Sequence, residues 1–235
     1  MRHFIFLFAS LLLSACAADG LRVIPAADWP GITPEEMPRA ETFRSVSQTV
    51  GKEARAECLR QRRVSNCDFT ILVDLDPRAE ANAFQTLDDK DQPVIIFTRS
   101  MIQSTKNPDE LAFVMGHEAA HHVLAHIDRQ SQNAQEGAAI FDRLGKLHGE
   151  DGADLERSQK LGAEVNVQVN VKEFELEADR LGTIITYNAG YNPLIGAKYF
   201  DRIPDPGDQF LGTHPPNAAR IQIVKDTARQ LGLTE

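Results

Sequence analysis

The stretch "NPDELAFVMGHEAAHHVLAH", residues 107–126, constrains the fold more than any other part of the chain. Asn107 is a helix cap, Pro108 suits the first helical position, and Glu110 falls where a capping box places an acid. The helix started in this way carries Leu111, Phe113, Val114, Met115, Ala119, Val123 and Leu124 over nearly every face, as a buried helix does. Yet positions 117–126 also hold four histidines and a glutamate. Ionisable groups in a buried helix need partners.

On an α-helix, residues four apart lie one turn above each other, so His117 and His121 share a face and can share one metal ion. Glu118 is rotated by about 100° from His117 and sits beside such an ion without binding it. This is the hydrolytic zincin arrangement. Zinc brings the pKa of a water to about 7, and the carboxylate serves as base and afterwards as acid towards the leaving amine. A chance cluster of histidines would explain neither the cap nor the apolar surroundings. His122 and His126 form another one-turn pair, with no glutamate after His122, and are expected as packing or surface residues.

A third protein ligand is required. The extended metzincin pattern would need glycine at position 124 and histidine at 127, where the chain has Leu124 and Ile127, so that class is excluded. The acid-rich "KEFELEADRLG" is the best source. Glu175 and Asp179 are one turn apart, so one can bind metal while the other holds a ligand histidine. Glu173 and Glu177 make an equivalent pair on the opposite face. Spacing does not choose between them, and either pair also fits a solvated acidic stripe.

Elsewhere the 235 residues, 42% hydrophobic and 25% charged, suit one globular domain. Residues 1–15, "MRHFIFLFASLLLSA", read as a secretory signal too short to span a bilayer. "LSAC" resembles the bacterial lipobox, which makes Cys16 a lipidation site, and Ala17 after it favours the outer membrane. Cys58 and Cys67 remain, an even pair that an oxidising compartment would join. Removing Arg2 from 25 Lys and Arg leaves 24 against 34 Asp and Glu, a charge of −10, and no basic tract suggests nucleic acid.

Residues 16–33 look like a lipidated cysteine and a flexible tether, with the domain occupying 34–235. A Thr-Pro-Glu-Glu start leads into a helix with Phe43, Val46, Val50 and Ala54 on one stripe. "DFTILVDL" and "PVIIFT" read as strands of a small antiparallel-type sheet, separated by a polar segment containing "NAFQTLDDKDQ". In residues 131–170, "VNVQVNV" alternates as a strand would, but we assign it to a helix leading into the acid-rich motif. Further helices are expected up to Gly190, from Asn192 and Pro193, and over "PPNAARIQIVKDTARQLGL".

Three motifs in order, "DELAFVMGHEAAHHVLAH", "EFELEADRLG" and "THPPNAARI", resemble the HtpX and CAAX-prenyl-protease family of zinc peptidases, nearest its exported BepA and LoiP types. The resemblance runs from about residue 82 to 221. It implies a mostly helical gluzincin-like α+β domain holding one zinc ion. It also implies that Glu175 is the third ligand, that Asp179 supports it, and that Glu177 lies on the surface. His214 would lie over the site as a fourth, latency-holding ligand. Arg220 would steady the oxyanion or brace the loop. No tetratricopeptide repeats or membrane-spanning segments accompany the motifs in these residues, so a compact domain is expected, attached to the membrane by lipid alone. The expected activity is endopeptidase cleavage of unfolded or misassembled envelope proteins at the periplasmic face, with "PVIIFT" as the edge that pairs with substrate. The rivals are a non-proteolytic lipoprotein chaperone or scaffold with a retained zinc site, and an envelope amidase.

Overall fold

The structure, a computed structural model, describes residues 23–25, 29, 32–205, 207 and 214–234. The segment expected as a signal and Cys16, the expected lipidation site, lie outside the described residues. Strand β1 (Val23–Pro25) is followed by helix α1 (Met37–Gln61), β2 (Thr70–Asp74), β3 (Ala83–Leu87) and β4 (Pro93–Thr98). A short α2 (Arg99–Ser104) then leads to α3 (Pro108–Val123), α4 (His126–Leu147) and α5 (Gly152–Asn188). The chain closes with α6 (Pro193–Gly196), a 3-10 turn (Ala197–Tyr199) and α7 (Asn217–Gln230). No described helix is long and apolar enough to cross a membrane.

The stripe on α1 is buried as its spacing requires, with Phe43, Val46, Val50 and Ala54 all 0–1% exposed. Each of the larger side chains contributes about 1.5–3 kcal/mol by leaving water. Cys58, on the same stripe, is joined to Cys67 in a disulfide that fixes the turn after α1. Part of the segment expected as tether is folded: β1 pairs with β2, and Trp29 meets the ring of Phe43 edge-on.

The sheet departs from expectation in three ways. Its order is β1-β2-β4-β3, and β2 runs parallel to β4, so it is mixed rather than antiparallel. β4 is a central strand with six consecutive buried residues, which is why "PVIIFT" is apolar without alternating. The edge on this side is β3, which hairpins onto β4 from within the stretch read as polar, and β1 is the edge on the other. "DDKDQ" is its turn: Asp88 Oδ1 accepts from the backbone N–H groups of Lys90 and Gln92, and Asp91 takes φ 56°.

The cap of α3 forms as expected, with Asn107 Oδ1 accepting from Glu110 N–H at 2.9 Å. The Glu110 carboxylate reaches back to Lys106 N–H at 2.7 Å and takes both Arg202 amino groups at 2.6 Å. The helix stops at Val123 because Ala125 turns left-handed (φ 56°), and the chain re-enters helix at His126. His122 and His126 are therefore on different helices.

"VNVQVNV" is helical, inside a single 37-residue α5. It packs against α4, where Asn166 Nδ2 ties it across to the Asn133 carbonyl at 2.6 Å, and its valines are half-buried or, at Val169, exposed. The two helices touch where a Cβ on Gly137 would stand 2.1 Å from the Gly162 carbonyl oxygen.

Candidate metal centre

The C-terminal half of α5 crosses α3 at backbone contact. A Cβ on Gly182 would lie 2.8 Å from His117 N, and one on Gly116 2.9 Å from Gly182 O, so both positions need glycine. This crossing brings Glu175 to the histidines of α3. His117 Nε2 is 3.1 Å from His121 Nε2 and 3.5 Å from Glu175 Oε2, and His121 Nε2 is 3.4 Å from Glu175 Oε1. Tetrahedral zinc with ligands at about 2.0–2.1 Å separates them by about 3.3–3.4 Å. The three donors fit such an ion, and they form the metal-type cluster among the described residues. Glu118 is half-buried beside them. Burial pushes its carboxyl up to about 7, with Glu175 adding to the effect and His117 opposing it.

Asp179, fully buried, accepts from His117 Nδ1 at 2.9 Å. Arg220 enters from α7 and gives Asp179 two further bonds of 2.7 Å, from Nε and Nη2, while its guanidinium lies 4.1 Å over the Phe200 ring. Burial alone would raise the Asp179 carboxyl; Arg220 and His117 hold it below its ordinary value. Arg220 also stands 3.4 Å from Glu175 Oε2 and lines the cleft, so it holds Asp179 while bordering the site. His214 Nδ1 stands 3.2 Å from Glu175 Oε2 with its side chain 54% exposed, beside the third ligand rather than within the cluster of three.

One expectation fails. Glu177 is a half-buried partner of His126 Nε2, at 3.0 Å, and of Arg129, not a surface residue. His126 is buried and packs on Phe174, within the expectation for it, and it also meets the site: its Nδ1 is 2.9 Å from His121 Nδ1, and burial lowers its pKa to about 4. The sequence gives no local sign of this, because the placement depends on the left-handed turn at Ala125, a residue type that rarely adopts one. His122 is a packing residue, buried with Nε2 donating to the Asn66 carbonyl at 2.7 Å beside the disulfide. Glu173 is exposed.

A cavity of about 790 Å³ opens over the cluster. Ala83, Phe84 and Gln85 of β3 form one wall and Val171 and Phe174 of α5 another.

A small mixed sheet, a helix carrying the His-Glu-x-x-His residues and a carboxylate from a later helix together define a zincin-type metallopeptidase. The chain belongs to Peptidase family M48, whose profile matches residues 52–228. Over 165 residues it is 30% identical to the mitochondrial metalloendopeptidase OMA1 of Saccharomyces cerevisiae, a match covering 66% of this chain and 45% of the relative. The chain thus spans less than half the length of that protein. Peptidases of this family depend on zinc, the metal that fits His117, His121 and Glu175.

Proposed function

We propose that the protein is a zinc-dependent endopeptidase of the exported BepA and LoiP type, cleaving extended segments of unfolded or misassembled cell-envelope proteins. The observation that carries this reading is the placement of Glu118 beside three donors spaced for zinc, at the floor of a cleft walled by an edge strand. Zinc held by His117, His121 and Glu175 would supply Lewis acidity, polarising the scissile carbonyl and activating water. Glu118 takes the proton of the attacking water on its carboxylate and passes it to the leaving nitrogen as the C–N bond breaks. β3 offers backbone groups to an extended substrate by strand addition, which favours chains that have lost their fold.

The periplasmic location, with a lipid anchor at Cys16 in the outer membrane, is supported by the "LSAC" motif and by the Cys58–Cys67 disulfide, since such bonds persist in oxidising compartments. The endopeptidase reading also draws on the named activity of the yeast relative. His214, beside Glu175, would restrain the site until substrate moves it.

Casein cleavage by the zinc-loaded protein tests this reading. We expect slow turnover by wild type, faster turnover by His214→Ala and none by Glu118→Gln. Equal cleavage by Glu118→Gln and wild type would remove Glu118 as the base, and turnover of peptidoglycan in place of casein would make the protein an amidase.

A further inference from the structure

Each ligand histidine has a second ring nitrogen that faces away from the metal position. For His117 it is held by Asp179, which is gripped in turn by an arginine lying on a phenylalanine ring. The same construction appears a second time. Behind His121 stands His126, behind His126 stands Glu177, and Glu177 is paired with Arg129, whose guanidinium lies 4.3 Å over the Phe174 ring. Phe174 stacks on His126 with centroids 4.6 Å apart and planes 13° from parallel.

We propose that His126 and Glu177 form a hydrogen-bonded relay that fixes the tautomer and orientation of His121, and so sets how tightly the three ligands hold their metal. This rests on the metal-site reading above and adds two positioning residues to it.

The proton positions follow from the donors available. His121 Nε2 points at the other ligands, 3.1 Å from His117 Nε2 and 3.4 Å from Glu175 Oε1. A neutral imidazole has one N–H, so a histidine that ligates through Nε2 carries its hydrogen on Nδ1. That hydrogen meets His126 Nδ1 at 2.9 Å. Two ring nitrogens at this distance share one proton, so His126 accepts, and its own hydrogen sits on Nε2. There it meets Glu177 Oε2 at 3.0 Å, and an ionised carboxylate only accepts. Each proton thus has one place, and each bond polarises the next towards the ligating nitrogen. Arg129 comes from α4 and Glu177 from α5, so the relay also ties the helical arm to the ligand on α3.

Supporting groups of this kind are typically worth about 10–100-fold in metal affinity or activity. The test is zinc affinity of the full chain by chelator competition, together with the visible spectrum of the cobalt form, for wild type, His126→Phe, His126→Asn and Glu177→Gln. Phenylalanine keeps the ring and its stacking but accepts nothing; asparagine loses the ring but places an oxygen near the position of Nδ1. We expect zinc binding to weaken about 10–100-fold in His126→Phe, to recover in large part in His126→Asn, and to fall between these in Glu177→Gln, with an altered cobalt spectrum in the first. Wild-type affinity in His126→Phe, or weaker binding by His126→Asn than by His126→Phe, would make His126 a packing residue and overturn the proposal. If the phenylalanine variant does not fold, unchanged affinity in Glu177→Gln overturns it equally. Absence of zinc and cobalt binding in wild type would instead bring down the metal-site reading, and this one with it.

Discussion

Helix α5 makes two close crossings, and they serve different ends. Near its C-terminal end it touches α3 through Gly116 and Gly182, in surroundings where Glu175, Asp179 and Arg220 are buried and every one of them is paired. Near its N-terminal end it touches α4 through Gly137 and Gly162, on an arm that leaves Ile140, Leu144, Leu147 and Leu161 largely exposed. Glycine permits close approach in both. Only the first uses the approach to bring charged groups together out of water, where each must be answered by another. Tight helix packing is thus a common device here, and the chemistry comes from what the contact carries beside it.

The largest test of this contrast is Glu118→Gln, expected to lower peptide cleavage by about 10²–10⁴-fold while zinc affinity and thermal unfolding stay near wild type; a parallel loss of folding would mean that Glu118 is structural. Next comes Gly182→Ala, whose Cβ would stand 2.8 Å from His117 N and 2.9 Å from His117 Cα. Calorimetry should show a loss of about 1–3 kcal/mol, together with weaker zinc binding. Gly162→Ala should destabilise the arm and leave zinc binding intact, and equal effects of the two on zinc would erase the distinction between the crossings.

Acid should act on the site more than on the arm. His126 is held to about 4 by burial, against about 6.5 in an unfolded chain. Between these values the unfolded chain takes up a proton that the folded chain refuses, so His126 removes stability from the metal-free protein as pH falls from 6.5 towards 4, and no more below it, while Glu118, raised to about 7, returns some over the same window. His122, lowered for the same reason, adds to the slope. Thermal midpoints measured across this window should flatten in His126→Asn. The smallest effect is expected for Leu147→Ser at the tip, 81% exposed, which should change stability by less than about 0.5 kcal/mol.

The helix α3 was legible because its signals are local: a cap, a proline, and two histidines spaced by one turn. So was the burial of α1. Choosing Glu175 over Glu173 was beyond spacing, since both carboxylates sit at helical intervals, and what separates them is the Gly116–Gly182 contact between distant segments. β3 escaped detection because all five of its residues are only half-buried, which blurs alternation, and because strand order is a non-local property. The same reason made β4 an edge in expectation and the centre in fact. The contact of His126 with His121 was out of reach because it follows from a single backbone angle at Ala125, which interrupts a helix that the composition would have continued.

At 37 residues α5 is about 55 Å long, and the stretch from Gly152 to Glu175 accounts for about 35 Å of it. The arm is in this sense a pointer fixed to the third ligand. A rotation of one degree about the crossing moves its far end by about 0.6 Å, more than the adjustment of a few tenths of an ångström that would bring three donors onto an ion. A distance label near Leu147 would therefore test whether loading the metal centre turns the arm.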